Sequence, residues 1–343
     1  MCIAIIADTH ICSSHPERTE GFERLLSTLD EKEYSATIIA GDLLDTSESS
    51  YGKVDTMLGR YGNMPFYIIP GNHDIGISNN HFSARNVTVI EQPQKLDIGG
   101  SNLVCVPYRK SGTMGGALAD LGLQEDTVKR ILVGHGDWSV NGYCGNDARY
   151  FPVTFNDIAR YNISHAILGH IHVPHDPHES VSYVGSPFPL DPTETGPRTY
   201  ISIRNNRPER HSVDTGRIFF SGHITCFPGE RHAEAQRIAD ICASLVENWR
   251  KKNVSGSENV IVRINARGYT NHGKDFITDI IEHCMEGFTI DKIDTESLSI
   301  SGNEEYDEFL QDAIERISPL GLGNADPTEQ EVQEEILDII YGV

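Results

Sequence analysis

Short apolar runs alternating with polar, helix-compatible stretches predict an α/β fold for the first 205 residues of this chain. The runs hold three to five residues and stop at Gly, Asp or Pro. They are too short for helices and fit strands buried on both faces. Five of them end in a cluster of Asp, His, Asn and Gly, which places polar chemistry at strand ends. The composition then changes twice, so a small α+β unit is expected over 206–290 and an acidic helical tail over 291–343.

Ile3–Ala7 is read as the first strand. No basic segment precedes it and Asp8 follows at once, so it is expected to be a buried strand and not a signal peptide. Phe22–Leu29 is read as a helix, Thr37–Ala40 as a strand, Val54–Leu58 as a helix and Phe66–Ile69 as a strand. Leu103–Val106, Ile131–Val133, Ala166–Leu168 and Val181–Val184 continue the strand series, with a weaker helix at Phe155–Arg160. Asn205–Arg217, rich in Asn, Arg and Pro, reads as a connection. Arg204, Arg207, Arg210, Arg217 and Arg231 make it locally basic, as a solvated linker or a phosphate contact would be. Val260–Ala266 alternates as a strand does, and Asp275–Cys284 reads as a helix. In the tail, Tyr306, Phe309, Leu310, Ala313, Ile314 and Ile317 recur at helical spacing. A Gly/Pro linker over 318–327 follows, then a capping box, Thr328-x-x-Glu331, ahead of Val332, Ile336, Ile339 and Ile340.

The length of 343 residues suggests two or three domains. No run approaches the roughly 18 apolar residues of a membrane span. Seven cysteines without a C-x-x-C pair fit reduced thiols in a cytoplasm. The formal net charge of −22 argues against a nucleic-acid protein if taken as one number, because a phosphate backbone is usually met by a basic surface. Its distribution is uneven. Residues 291–343 carry fifteen acids and two bases, whereas ten of the fifteen histidines fall within the first 178 residues.

The histidines belong to the strand-end clusters. Asp8-Thr9-His10 follows the first strand, and Gly41-Asp42-Leu43-Leu44-Asp45 the second. Gly71-Asn72-His73-Asp74, Gly134-His135 and Gly169-His170-Ile171-His172 follow three later ones. Ligands of open α/β sheets bind at carboxyl ends of strands, so clusters far apart in sequence can share one site. A single Asp-x-His or Gly-His means little, since short motifs often occur by chance. Five in order, each at a strand end, define a set of nitrogen and oxygen donors suited to Mn²⁺, Fe²⁺ or Zn²⁺. Two ions require a bridging group, and the Asp42 carboxylate is the natural one.

The series D-x-H, G-D-x-x-D, G-N-H-D, G-H and G-H-x-H resembles that of the calcineurin-like metallophosphoesterases, over about residues 1–205. The resemblance implies a four-layer β-sandwich flanked by helices and two divalent metal ions. Mn²⁺ is the expected ion, with Mg²⁺, Fe²⁺ and Zn²⁺ also compatible. Asp8, His10, Asp42 and His172 would hold one ion; Asp42, Asn72, His135 and His170 would hold the other. His73 would face the substrate phosphate as a proton donor, with Asp74 orienting it, and Asp45 would be structural. Such a pair of ions activates a water and offsets the charge that grows on the phosphoryl oxygens. The motif D-x-H-x-G of the family is altered here, with Cys12 after Ile11 and Thr9 between Asp and His; neither change touches a ligand.

Tyr183-Val-Gly-Ser-Pro-Phe-Pro-Leu190 and Thr195-Gly-Pro-Arg-Thr-Tyr200 are similar to the strand and G-[ST]-P turn of the SbcD-type DNA nucleases. Chain length and a two-helix tail look most like the recombination endonuclease subunits of tailed phages. This implies a nuclease with exonuclease and endonuclease activity, acting on duplex DNA ends and single strands in end processing, recombination and repair. The 206–290 unit would cap the site and engage DNA. The tail would dock on the coiled coil of an SbcC-like ABC ATPase, although amphipathic helices also fold back on their own core. A homodimer without membrane association, in the cytoplasm of a cell or phage host, completes the expectation. The alternatives are a small-molecule phosphodiesterase or phosphatase of the same fold, and a non-catalytic repair scaffold.

Overall fold

The computed structural model describes residues 2–45, 50–123, 128–139, 150–254, 256 and 259–301, with six further positions between 313 and 339. The chain forms two compact units, Met1–Ile218 and, beyond it, Phe219–Val254 with Asn259–Val343.

The first unit opens with β1 (Ile3–Ile6), α1 (Pro16–Glu31), β2 (Ala36–Ala40), α2 (Tyr51–Gly59), β3 (Phe66–Ile69) and β4 (Val87–Val89). Next come β5 (Gln94–Ile98), β6 (Ser101–Val106), α3 (Met114–Asp120), β7 (Arg130–His135), β8 (Trp138–Ser139), β9 (Val153–Thr154) and α4 (Phe155–Arg160). β10 (Ile163–Gly169), β11 (His175–His178), β12 (Val181–Tyr183), β13 (Arg198–Arg204) and β14 (Arg207–Val213) complete it. Two six-stranded sheets result, in the orders β14-β13-β1-β2-β3-β4 and β11-β12-β10-β7-β6-β5; β8 and β9 form a separate pair.

Side-chain alternation along the strands builds the layers. Ile3, Ile5 and Ile38 of the first sheet pack with Cys105, Ile131, Val133 and Ile167 of the second, filling the space between the sheets. The opposite faces turn outward to helices. Ile6, Ile39, Phe66 and Ile68 meet Phe22, Leu25, Leu26 and Leu29 of α1 and Val54 and Leu58 of α2. Val104, Val106, Leu132 and Leu168 meet Met114 and Leu118 of α3 and Ile158 of α4. The fold is therefore the expected four-layer α/β sandwich. Pro16 opens α1, where a missing N–H costs nothing. Thr154 and Asp157 close a reciprocal cap on α4.

The segment expected to be a connection, Asn205–Arg217, is part of the first sheet. Asn205 and Asn206 take left-handed backbone at a hairpin turn, and β14 then pairs antiparallel with β13 from Arg207 to Val213. The compact unit accordingly runs to Ile218 and not to 205. Arg210 is held there by Asp176 at 2.6 Å and by the Tyr183 carbonyl at 3.0 Å.

In the second unit β15 (Ile218–Cys226), β16 (Val260–Thr270), β17 (Thr289–Asp294) and β18 (Leu298–Ile300) form a sheet, with α5 (Arg231–Lys252) and α6 (Lys274–Cys284). β17 runs through the expected boundary at 290, so the sheet extends to Ile300. In the tail, Ala313, Arg316, Val332, Glu335, Ile336 and Ile339 are helical. The other residues of the two expected tail helices, Tyr306, Phe309, Leu310, Ile314, Ile317 and Ile340 with the Thr328–Glu331 cap, lie outside the described residues. No described helix is long and apolar enough to cross a membrane.

Candidate metal centre

Parallel pairing brings the five motif clusters together. β1, β2 and β3 run parallel, and so do β7 and β10, with Gly169 opposite His135. Asp8 and His10 leave β1, Asp42 leaves β2, Asn72 and His73 follow β3, His135 ends β7, and His170 and His172 follow β10. The loops are laced to one another. Asp8 N donates to the Gly41 carbonyl at 3.1 Å, His10 N to the Asp42 carbonyl at 2.9 Å, and His170 N to Asp8 Oδ1 at 2.9 Å. Asp8, His10, Asp42 and His170 all adopt positive φ, at 53°, 43°, 48° and 99°. Such backbone costs about 1–3 kcal/mol per residue and persists where the surroundings enforce it.

Among the described residues, three groups of donors lie close enough to share an ion: Asp8, His10 and His172; His10, Asp42 and His73; Asp8, Asp42 and His135. Within each, the donor atoms fall within 4.8 Å of one another. Asn72 joins the second histidine pair, with its Oδ1 at 2.8 Å from His135 Nε2 and 3.2 Å from His170 Nδ1. Asp42 occupies the middle. Its Oδ1 accepts from His73 N at 2.9 Å, and its Oδ2 lies 3.2 Å from His135 Nε2 and 3.6 Å from His10 Nε2.

The donor set fits a cation. His10 Nε2 is buried and has no hydrogen-bond partner among the described residues. His135 Nδ1 donates to the Ala40 carbonyl at 3.0 Å, so its Nε2 faces two oxygens, Asn72 Oδ1 and Asp42 Oδ2, that need something positive between themselves and it. Without metal, a proton takes that place. Burial disfavours the imidazolium, but the Asp42 hydrogen bond and charge, helped by Asp8, push His135 up to about 9. Burial, with the repulsion of Asp42, pushes Asp8 up to about 6. Burial lowers His10 to about 4 and, with the charge of His135, His170 to about 4, leaving both neutral as ligands must be.

Two orienting roles differ from expectation. Asp74 does not reach His73. Its buried carboxylate accepts from Gly71 N at 2.7 Å and Leu44 N at 3.3 Å, and so fixes the turn that carries Asn72. Burial and the neighbouring Asp42 push Asp74 up to about 6. His73 is oriented by Asp45 instead, whose carbonyl accepts from Nδ1 at 2.8 Å. The Asp45 carboxylate also lies 3.3 Å from His10 Nδ1 and 3.3 Å from the Arg18 guanidinium. With Oδ1 also 3.4 Å from His73 Nδ1, Asp45 spans a candidate ligand and the candidate proton donor.

Sequence reasoning missed two carboxylates. Asp137 Oδ1 stands 3.5 Å from His170 Nε2; its place two residues after His135 was a readable signal. Glu194 Oε1 accepts from His172 Nδ1 at 2.8 Å, from a Pro-Thr-Glu-Thr-Gly-Pro stretch with no ligand spacing.

A double-sheet α/β sandwich bearing a partly buried cluster of Asp, Asn and His at its strand ends has the fold and the donor set of a metal-dependent phosphoesterase. Residues 1–174 match the calcineurin-like phosphoesterase family, and the chain belongs to it. No curated protein matches the sequence. Among solved structures, the chain is similar to an archaeal phosphodiesterase (12% identity, 62% of this chain and 100% of the other, TM-score 0.35). It is also similar to the phosphopantetheinyl hydrolase of Mycobacterium tuberculosis (16% identity, 54% and 89%, TM-score 0.35). A third is the nuclease MPE of Pseudomonas putida (16% identity, 52% and 66%, TM-score 0.27).

Proposed function

We propose that the chain is a DNA nuclease subunit with exonuclease and endonuclease activity, working with an SbcC-like ABC ATPase in end processing, recombination and repair. The observation that carries the hydrolytic part is the buried Asp42 carboxylate between two histidine groups, the arrangement a bridging ligand needs. Asp8, His10, Asp42 and His172 would hold one divalent ion, and Asp42, Asn72, His135 and His170 the other, with Mn²⁺ as the expected metal. When bound, the ions supply Lewis acidity toward the phosphoryl oxygens and a water acidic enough to ionise near neutral pH.

The chain's own residues do the rest. His73 is exposed, and its Nδ1 is committed to the Asp45 carbonyl, so Nε2 is free to give a proton to a departing alkoxide. The glycines permit close packing: a Cβ on Gly41 would strike the His135 ring, and one on Gly71 the Asp42 carboxylate. The choice of DNA rests on the Gly185-Ser-Pro187 turn, on the second unit as a capping and DNA-binding element, and on the acidic tail as the docking segment for the ATPase. A homodimer acting in the cytoplasm belongs to the same reading.

The test is a cleavage assay of the purified chain in Mn²⁺ or Mg²⁺, with and without an SbcC-like ATPase, on end-labelled duplex and single-stranded DNA and on bis-p-nitrophenyl phosphate. Degradation of DNA in Mn²⁺ is expected. Diester cleavage with intact DNA in every condition would sink the nuclease assignment and leave a small-molecule phosphodiesterase. No cleavage of either substrate would leave a scaffold.

A further inference from the structure

We propose that Glu194 is the positioning residue that presents the His172 imidazole to metal, with the Arg198 guanidinium and the 186–198 loop holding Glu194 in turn. The inference rests on the metal-centre reading above and adds to it a residue that lies outside every ligand motif.

Glu194 and Arg198 form a buried pair, at 8% and 2% exposure. Both carboxylate oxygens are used, and on opposite sides. Oε1 accepts from His172 Nδ1 at 2.8 Å. Oε2 accepts from Leu190 N at 3.0 Å, Ser186 Oγ at 3.1 Å and Arg198 Nη1 at 3.4 Å. Arg198 reaches the same histidine by its main chain, donating from Nη1 to the His172 carbonyl at 3.2 Å; Ser186 N donates there too, at 3.0 Å. The ring and the carbonyl of residue 172 are thus gripped by one loop.

This arrangement has a chemical consequence. With its proton on Nδ1 and directed to Glu194, the His172 ring keeps its lone pair on Nε2, the nitrogen left to join Asp8 and His10. A carboxylate behind a ligating histidine fixes the tautomer and ring angle and makes the imidazole a stronger donor. Stability alone does not account for the pair, since a buried ion pair is roughly matched by a well-packed apolar substitute. Its value lies in direction. Gln at 194 cannot replace it: an amide offers one acceptor oxygen, whereas Glu194 serves donors on two sides.

The experiment measures Mn²⁺ binding to the full chain by calorimetry, with far-UV circular dichroism of the metal-free proteins to establish that each is folded. Wild type is expected to bind two ions. E194Q should weaken one of them by about 10–100-fold, the usual cost of losing such a partner, and leave the other within about twofold. H172A should weaken the same ion, and in H172A/E194Q the second substitution should add less than about twofold. A purely structural Glu194 would cost as much with Ala at 172 as with His, and that result overturns the proposal. So does E194Q binding both ions as tightly as wild type. Wild type binding no ion would instead overturn the metal-centre reading itself.

Discussion

Gly71→Ala tests whether the centre is as tightly built as it looks, because the added methyl meets a candidate ligand and nothing soft. Gly71 precedes Asn72 and does not adopt the left-handed φ that favours glycine, so the main question for alanine there is space. A Cβ at this position would overlap Asp42 Oδ1 and Asp42 N and stand 2.8 Å from Asp42 Cγ. Ordinary contact begins at 3.4 Å, so the carboxylate carbon must retreat by about 0.6 Å, and its oxygen by more. Asp42 has little freedom to do so, since His73 N and the His135 ring already fix its oxygens. Forcing a methyl into a packed site costs about 1–3 kcal/mol. A shift approaching 1 Å in a reacting group costs about 10²-fold in rate. Gly71→Ala is therefore expected to lower kcat on bis-p-nitrophenyl phosphate by roughly 10²-fold and to weaken Mn²⁺ at both proposed positions, because Asp42 is the proposed ligand shared between them. Gly76→Ala, five residues on, is the control: a Cβ there meets nothing within 4 Å. If Gly71→Ala matched Gly76→Ala in rate and in Mn²⁺ affinity, Asp42 would not be the shared ligand and the geometric reasoning would fail.

Three further outcomes follow from the same structure. His73→Ala should bind both ions normally and lose about 10²–10⁴-fold in diesterase rate; wild-type turnover would remove His73 from the mechanism. Arg198→Met strands the buried Glu194 carboxylate and should cost about 3–5 kcal/mol of stability in chemical denaturation of the metal-free chain, with a cost under 1 kcal/mol counting against a desolvated pair. Glu234, on α5 in the second unit, is 1% exposed, and burial raises its pKa. The folded chain therefore binds this proton more readily than the unfolded chain, and the group's contribution to stability declines as pH rises from the ordinary carboxylate value through the raised one. Glu234→Gln should flatten the fall of Tm over that window, and an unchanged pH profile would refute the assignment.

How much could be read from sequence divides along physical lines. The buried strands were legible because runs such as Ile3–Ala7 and Thr37–Ala40 are apolar on both faces, a pattern only a covered sheet produces. β14 was not, because an edge strand with one wet face can be built from Arg, Glu, His and Ser and so looks like a linker. The 22-residue helix α5 escaped for a related reason: its buried stripe is Glu234, Ile238, Cys242 and Trp249, too sparse and too polar to register as an amphipathic face. At the centre, Asp8, His10, Asp42, Asn72, His135, His170 and His172 could be expected to converge from sequence, since motif and strand end coincide; His73, which the structure also places among the donors beside His10 and Asp42, was expected only as a proton donor. The supporting contacts were not. Asp45 and Glu194 reach their histidines across 35 and 22 residues through loop geometry that no spacing encodes.

The acidity of the chain takes on a different meaning once located. Of the −22, residues 291–343 hold −13, which leaves −9 over the 290 residues that contain both sheets of the first unit and the second unit as far as the start of β17. Within the centre, Asp8 and Asp42 are buried side by side with Asp74 close behind, a cluster that by itself repels a phosphodiester. Two divalent ions would bring +4 to that cluster, more than the carboxylates carry, and electrostatics at such a site must count the ions. With the ions bound, the sign of the field at the strand ends would thus be set by metal, not by lysine or arginine. What metal cannot provide is a basic track along the rest of a duplex, where affinity depends on how many phosphates are neutralised. Arg210 and Arg217, two of the five arginines of the 204–231 stretch, are engaged by Asp176 and Glu17. With metal bound, a chain so constituted would attract one phosphate at its centre more than it attracts a long duplex, and on the nuclease reading proposed above the remaining affinity for DNA would have to come from cationic surface on a second copy or on the proposed ATPase.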